Sequence, residues 1–176
     1  MTGHALEIRD ARDDDAAEIA AIYAPHVQGS AVSFEETPPD AAEMLARLRR
    51  VRERHPWLVA VRDGRIAGYA YAAEFRTRWA YRFTVETSVY VAPDAIGSGV
   101  GRTLMLELIA RLRALGFHRA VAGATLPNDA SARLHESLGF TFVGRFREVG
   151  RKLGAWHDVG FWELALSTGA GDGPVA

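Results

Sequence analysis

Apolar positions recur along the chain in two spacings, and the change from one to the other marks its elements. Leu6-Glu7-Ile8-Arg9 alternates with period two and predicts a strand. Asp13, Asp14 and Asp15 offer N-caps and first-turn acids. Ala16, Ile19, Ala20 and Tyr23 then fall on one helical face, and Pro25 is expected to stop that helix. Gln28 to Glu36 keeps neither period and carries Phe34, so it reads as irregular or briefly extended. Pro38-Pro39-Asp40 opens a second helix with Met44, Leu45, Leu48 and Val51 as its stripe. Pro56 to Val61 predicts a strand, Asp63-Gly64 a hairpin turn, and Ile66 to Phe75 the partner strand. A polar, aromatic-rich connection runs from Arg76 to Arg82. Glu86-Thr87-Ser88-Val89-Tyr90-Val91 is β-branched and aromatic, hence a strand, which Pro93 and Asp94 end. Gly97, Gly99 and Gly101 make a glycine-rich loop. Leu104, Leu108, Ile109, Leu112 and Leu115 form the stripe of the next helix, closed by Gly116. Arg119 to Thr125 is a strand, and Pro127-Asn128-Asp129 caps a helix from Ala130 to Leu138 that Gly139 ends. Phe140 to Phe146 and Asp158 to Leu166 read as a closing antiparallel pair, joined by a loop from Gly150 to Trp156.

The order β-α-α-β-β-β-α-β-α-β-β predicts an α/β (α+β) fold: one central, mostly antiparallel mixed sheet of about seven strands flanked by about four helices. Three consecutive strands in the middle exclude a doubly wound order. We expect a single domain over residues 1–166 and a loose, glycine-rich tail over 167–176. Composition adds exclusions. The chain has 176 residues and a net charge of −1, so no global field points to nucleic acid or to an anionic membrane. Arg47, Arg49, Arg50, Arg52 and Arg54 lack interleaved aromatic residues and read as a solvated face. With no cysteine, disulfides, zinc–thiolate sites and thiol catalysis are excluded. No His pair has metal-ligand spacing, so no metal is expected. The absence of a leader and of a long apolar run reads as a soluble, cytoplasmic protein.

The strand–glycine loop–helix unit is the clearest candidate for chemistry. Backbone N–H groups converge at such a loop, and the helix dipole favours negative charge, which suits a pyrophosphate. An ordinary turn that binds nothing has the same residues. The spacing fits neither a Walker loop nor the G-x-G-x-x-G dinucleotide pattern.

Taken together, the elements and the frame Ile96-Gly97-Ser98-Gly99-Val100-Gly101, with Asn128, Leu134 and Gly139-Phe140 downstream, resemble the GNAT superfamily of N-acetyltransferases from about Leu6 to Leu166. A narrower set is similar to the phosphinothricin and methionine sulfoximine N-acetyltransferases. It comprises Phe34-Glu35, Pro56 to Ala60, Val85-Glu86 with Val89-Tyr90-Val91, Leu126 to Asp129, Arg133 to Glu136, and Gly154 to Trp162. Two positions depart: Ile96 stands where the superfamily has Gln or Arg, and Gly97 where the narrower family often has Arg.

The resemblance implies transfer of acetyl from acetyl-CoA to the primary amine of a small amino-acid-like acceptor, by direct attack. It assigns the pyrophosphate to Gly97, Ser98, Gly99, Val100, Gly101 and Arg102, and the pantetheine arm to Val89, Tyr90 and Val91. Asn128 is a further donor to that arm or simply a helix cap. Glu86 is the base, acting through water with a pKa raised by burial, or else the partner of a neighbouring arginine. His135 holds the position of a tyrosine that protonates the departing thiolate, and is an acid, a proton relay or an ordinary helical histidine. Ser88 and Ser98 have no His–Asp partners, so no acyl-enzyme is expected. Backbone N–H groups around Ser88 to Tyr90 would hold the oxyanion. Arg76 and Arg78 would receive the acceptor's acid groups, with Phe34, Ser88 and Val159 lining its pocket. The resemblance also implies a homodimer. The rivals are an acetyltransferase for a protein N-terminus or lysine, and an acyl-CoA-binding module without turnover.

Overall fold

In a computed structural model, residues 6–167 are described. Of the expected tail only Ser167 falls within them; the remainder lies outside. Among the described residues, seven strands and four α-helices follow the expected order. They are β1 (Glu7–Asp10), α1 (Ala16–Gln28), α2 (Ala41–Arg52), β2 (Trp57–Arg62), β3 (Arg65–Glu74), β4 (Thr84–Val91), α3 (Val100–Ala114), β5 (Arg119–Leu126), α4 (Asp129–Ser137), β6 (Thr141–Lys152) and β7 (Ala155–Ala165). The strands form one sheet in the order β1-β2-β3-β4-β5-β7-β6. Every pairing is antiparallel except β4–β5.

Local chemistry accounts for the ends of these elements. Asp15, before α1, receives Arg9 at 2.7 and 2.8 Å and the Arg12 N–H at 2.6 Å. Asp40 caps α2 by accepting the Glu43 N–H at 2.8 Å. Two expectations need correction. Pro25 does not stop α1, which runs on to Gln28, with the Gly29 N–H closing on the Pro25 carbonyl at 3.0 Å. Proline removes only its own bond to the preceding turn, and Val27, buried beyond it, holds the last turn to the core. Nor is there a loop over Gly150 to Trp156. β6 and β7 continue to Lys152 and Ala155, and a two-residue turn at Leu153-Gly154 joins them, both residues at positive φ. Register shifts near Phe142/Gly144 and Phe146/Gly150 break the period of β6, which hid its length from the sequence pattern.

The sheet is covered on both faces. α3 buries Leu104, Met105, Leu108 and Leu112, and its first turn lies over Gly68 and Val91. α1 lies on the other face, where Tyr23 meets Tyr90 edge-on at 5.0 Å. Trp57, Tyr69 and Tyr71 stack on that same face.

Candidate active site

β4 and β5 pair only over Thr84–Glu86 with Arg119–Val121, although β4 continues to Val91 and β5 to Leu126. Each stays bound to its outer neighbour, Val91 opposite Gly68 and Leu126 opposite Asp158, so a wedge opens between them. Which peptide groups face it follows from the ladder. The Ala92 N–H bonds the Ala67 carbonyl at 2.9 Å, and the Tyr90 carbonyl approaches Gly68 so closely that a Cβ there would lie 2.9 Å away. Residues 90 and 92 therefore aim their backbone at β3, and Val89 and Val91 aim theirs at the wedge. Tyr90 does not join them: its peptide is spent on β3, and its ring packs among Tyr23, His26 and Tyr69. His26, on α1, lies against Tyr90 at 5.2 Å and bonds the Val91 carbonyl; burial lowers its pKa, and that bond partly offsets the effect.

At the open end of the wedge the chain turns through Pro93–Ala95 into the glycine loop. Gly97 and Gly99 have φ of 79° and 84°, a region where L side chains are strained, and a Cβ at either would meet nothing within 4 Å. Gly99 is the N-cap of α3 and gives no side-chain cap, so the N–H groups of Val100, Gly101 and Arg102 begin the helix without an intrahelical partner. Such an uncapped row of N–H donors at a helix start is chemically suited to a pyrophosphate. The Ser98 hydroxyl is turned inward onto the Ala95 carbonyl at 2.7 Å. The Val100 side chain is buried, whereas Ile96 is exposed. A Cβ on Gly101 would lie 3.3 Å from Val91 and 3.8 Å from Leu134, so the α3 start, the β4 end and α4 meet at the wedge. Asn128 caps α4 by accepting the Ser131 N–H on Oδ1 at 3.0 Å. Capping uses only the oxygen, so the amide nitrogen remains a donor. Both readings of Asn128 are thus compatible. A cavity of about 340 Å³ lies beside it, lined among others by Leu126, Pro127, Arg145 and Asp158.

Glu86 occupies the last paired rung before the wedge opens. Its Oε1 lies 3.6 Å from where a Cβ of Gly123 would sit, beside the Phe161 ring. Among the described residues no arginine forms an ion pair with it. Burial raises its pKa, and the more distant Arg76 charge partly opposes that shift. Arg76 lies over the Phe75 and Tyr81 rings at 5.1 and 5.9 Å. The Arg78 side chain is exposed, and its carbonyl accepts the Tyr81 N–H at 2.9 Å. Ser88 hydrogen-bonds Tyr71, whose hydroxyl pKa burial has raised. Val159 stands opposite Thr125 and Phe146. Phe34 packs on Gly150 and lies 6.2 Å from His157. His157, Val159 and Phe161 share one pleat face, and an acceptor trough running along it from Phe34 to Glu86 would be about 13 Å long.

His135 is not in that trough. It stacks on Trp162 at 5.9 Å and meets Phe140 at 5.2 Å, and only 4% of it is exposed. Trp162 pairs with Ala122, one residue out of phase with the Gly123–Phe161 pair beside Glu86, so His135 and Glu86 lie on opposite faces of the sheet. Its Nδ1 lies 2.8 Å from the Ser131 carbonyl. A carbonyl only accepts, so Nδ1 carries the proton and Nε2 is bare. Burial lowers the pKa, partly offset by that bond. A neutral ring leaves Nε2 able to accept a proton. Sequence reasoning missed Tyr71, Gly123 and Phe161. Alternation gives the face on which each lies, but only the parallel β4–β5 register carries Phe161, through Gly123, to Glu86.

The matching family model is described as the acetyltransferase (GNAT) family and covers residues 14–140. A phosphinothricin N-acetyltransferase of Alcaligenes faecalis is 49% identical over 94% of this chain and 85% of its own length. An L-methionine sulfoximine/L-methionine sulfone acetyltransferase of Pseudomonas paraeruginosa is 42% identical over 90% and 94%. The crystal structure of a phosphinothricin acetyltransferase from Sinorhizobium meliloti in complex with acetyl-CoA superposes with a TM-score of 0.91 and 39% identity, covering 97% of this chain and 93% of that one.

Proposed function

This chain belongs to the acetyltransferase (GNAT) family, and on that footing we propose that it acetylates the primary amine of a small amino-acid-like acceptor, of the phosphinothricin or methionine sulfoximine kind, with acetyl-CoA as co-substrate. One observation carries the reading: two parallel strands part beside a half-buried glutamate, at the foot of an uncapped, glycine-led helix.

Each residue then has a task. The N–H groups of Val100, Gly101 and Arg102 bind the pyrophosphate; the exposed Ile96 and bare Gly97 leave that work to the backbone. The Val89 peptide and the Val91 N–H continue their ladder with the pantetheine amides, and Asn128 adds its amide N–H. Bound acetyl-CoA supplies an activated acyl carbon. Glu86 removes a proton from the acceptor ammonium, directly or through one water, so that the free amine attacks that carbon. The new C–N bond forms, the C–S bond breaks, the sulfur leaves with the bonding pair as a thiolate, and the second proton shed by the nitrogen neutralises it to the thiol. The Val89 N–H, aimed into the wedge, stabilises the carbonyl oxygen as charge gathers on it. Arg76 lies near enough to Glu86 to be felt electrostatically and takes the acceptor's carboxylate, with Arg78 at the trough's rim. Phe34, Ser88 and Val159 line the trough. His135, on the opposite face, enters as an acid or relay through Nε2 or as a brace for α4.

We also propose a homodimer formed through β6. It is one of the two edge strands, and Phe142, Val143, Phe146 and Val149 are exposed along it. Among the described residues no helix is long and apolar enough to cross a membrane; a cytoplasmic setting is part of the proposal. The test is thiol release from acetyl-CoA on adding L-phosphinothricin or L-methionine sulfoximine. Glu86→Gln should lower kcat/KM at least about 100-fold, the range of general-base catalysis, with acetyl-CoA affinity unchanged. Binding of acetyl-CoA without release on any amine would refute the catalytic reading.

A further inference from the structure

The segment between α1 and α2 has no regular structure, yet it is tied down along its length. The Thr125 hydroxyl on β5 donates to the Ala31 carbonyl at 2.6 Å. Tyr23 bonds the Ser33 hydroxyl at 2.7 Å and Glu35 at 2.8 Å. Arg47 grips Glu35 with two bonds, at 2.7 and 3.0 Å. The most unusual tie is Lys152, at the end of β6. Its side chain is buried, with 8% of the residue exposed, and among the described residues no carboxylate forms an ion pair with it. Its ammonium donates instead to the Val27 carbonyl in the last turn of α1, at 2.5 Å, and to the Ser33 carbonyl, at 2.6 Å. A buried ammonium is costly unless hydrogen-bonded. Here the carbonyls at the negative end of the α1 dipole accept it, so one cation joins helix, segment and strand.

Two residues earlier on β6, Gly150 receives the Phe34 ring. A Cβ built on Gly150 would lie 2.3, 2.3 and 2.8 Å from three ring atoms. The ring therefore occupies the very space a side chain would take, and the absence of one sets how deep Phe34 sits. Lys152 fixes the backbone just before Phe34, and Gly150 fixes its ring.

We propose that Lys152 and Gly150 set acceptor specificity: together they make the 29–39 segment a rigid wall rather than a lid, and the depth of Phe34 limits the length of side chain the trough admits. Lys152 is a positioning residue, acting through Ser33 and Phe34. The proposal rests on the trough being the acceptor site, as read above.

Gly150→Ala forces the ring outward. Because a flexible side chain yields rather than backbone, the melting temperature should stay within measurement error. The KM for L-methionine sulfone should change at least fivefold, while kcat and the acetyl-CoA Kd by calorimetry hold. In a Phe34→Ala background the same substitution should have no effect, since no ring remains to displace. An unchanged KM, or an equal change in both backgrounds, overturns the role of Gly150. Lys152→Met strands two carbonyls, so hydrogen exchange followed by mass spectrometry should rise within residues 29–39 and stay at wild-type levels in β4 and α3. Unchanged exchange, or a rise spread over the whole chain, overturns the wall. Exchange needs no turnover, so if the wild-type protein acetylates no amine the function reading falls alone and the wall is still judged.

Discussion

Gly68 joins the fold to the cofactor site, and replacing it by alanine tests that junction. It lies in β3 under the end of β4 and the first turn of α3. A Cβ there would stand 2.9 Å from the Tyr90 carbonyl oxygen, 3.1 Å from a Val100 methyl and 3.3 Å from the Val91 Cα. Ordinary contact begins at 3.4 Å, so the carbonyl must retreat by about 0.5 Å. Two of the three neighbours are backbone, and the third belongs to a valine that is 1% exposed. None can swing aside, so β4 and α3 must separate. Overpacking of this kind costs about 1–3 kcal/mol. For a chain of this size that lowers Tm by about 3–10 °C. The displaced atoms flank the cradle, so acetyl-CoA binding should weaken with stability. Thermal unfolding by circular dichroism and calorimetric titration with acetyl-CoA read the two effects. Gly144→Ala is the control, because a Cβ there meets nothing within 4 Å. If Gly68→Ala matches Gly144→Ala in Tm and in acetyl-CoA affinity, the close approach of β3, β4 and α3 does not position the cradle.

Three further outcomes follow from the charges and the exposed edge. The Glu86 pKa is raised by burial, so kcat/KM should fall with decreasing pH through a value above the usual carboxylate range, and Glu86→Gln should lose that limb. A raised pKa means the folded state favours the protonated form, so stability declines as pH rises through it; Glu86→Gln should therefore not destabilise the protein at pH 7. At Asp15, burial would raise the pKa, but the Arg9 bonds and the Arg12 N–H outweigh it and the pKa is lowered. The stability it contributes is present above the unfolded pKa and lost as pH falls. Asp15→Asn should cost about 1–3 kcal/mol at pH 7 and less near pH 3 in urea titrations; an equal cost at both would exclude the ionic contribution. Sedimentation should give the mass of two chains, and Val143→Arg that of one; a single-chain mass for the wild-type protein would remove the β6 interface.

What the sequence made legible here was local. Asp40, Asn128, Gly116 and Gly139 carry their capping chemistry in their own side chains or lack of one, and they fall where expected. Pro25 misled because a proline blocks one hydrogen bond, whereas the burial of Val27 that keeps the turn helical is a tertiary fact. The β6–β7 hairpin misled because bulges break period two and because leucine is an unusual residue at positive φ. In the site, a run such as Val89-Tyr90-Val91 can be recognised as a strand, but which peptides are spare depends on its register with β3, fixed some twenty residues earlier. The same holds for His135. Its helical position is readable; that Trp162 comes between it and the face of Glu86 is not.

The parting of β4 and β5 follows from how the two halves of the sheet are satisfied. β1 to β4 are joined by antiparallel ladders, β2 and β3 through a tight hairpin, and α3 packs over β2, β3 and β4. β5, β7 and β6 make a second set, with α4 against β5 and β6. Among the described residues the only sheet pairing that joins the sets is the short parallel ladder, extended by the Thr87 hydroxyl bonding the Val121 carbonyl at 3.3 Å. Beyond that rung each strand is already paired on its outer side, so opening the wedge leaves few peptide groups for a ligand, on the β4 side the Val89 peptide and the Val91 N–H, the Val91 carbonyl being bonded by His26. Those are the groups an extended amide ligand completes. Glu86 stands on the last shared rung, which places a half-buried carboxylate at the point where such a ligand must end. The position of the base and the position of the cofactor arm are therefore consequences of one feature, the rung at which the parallel ladder stops.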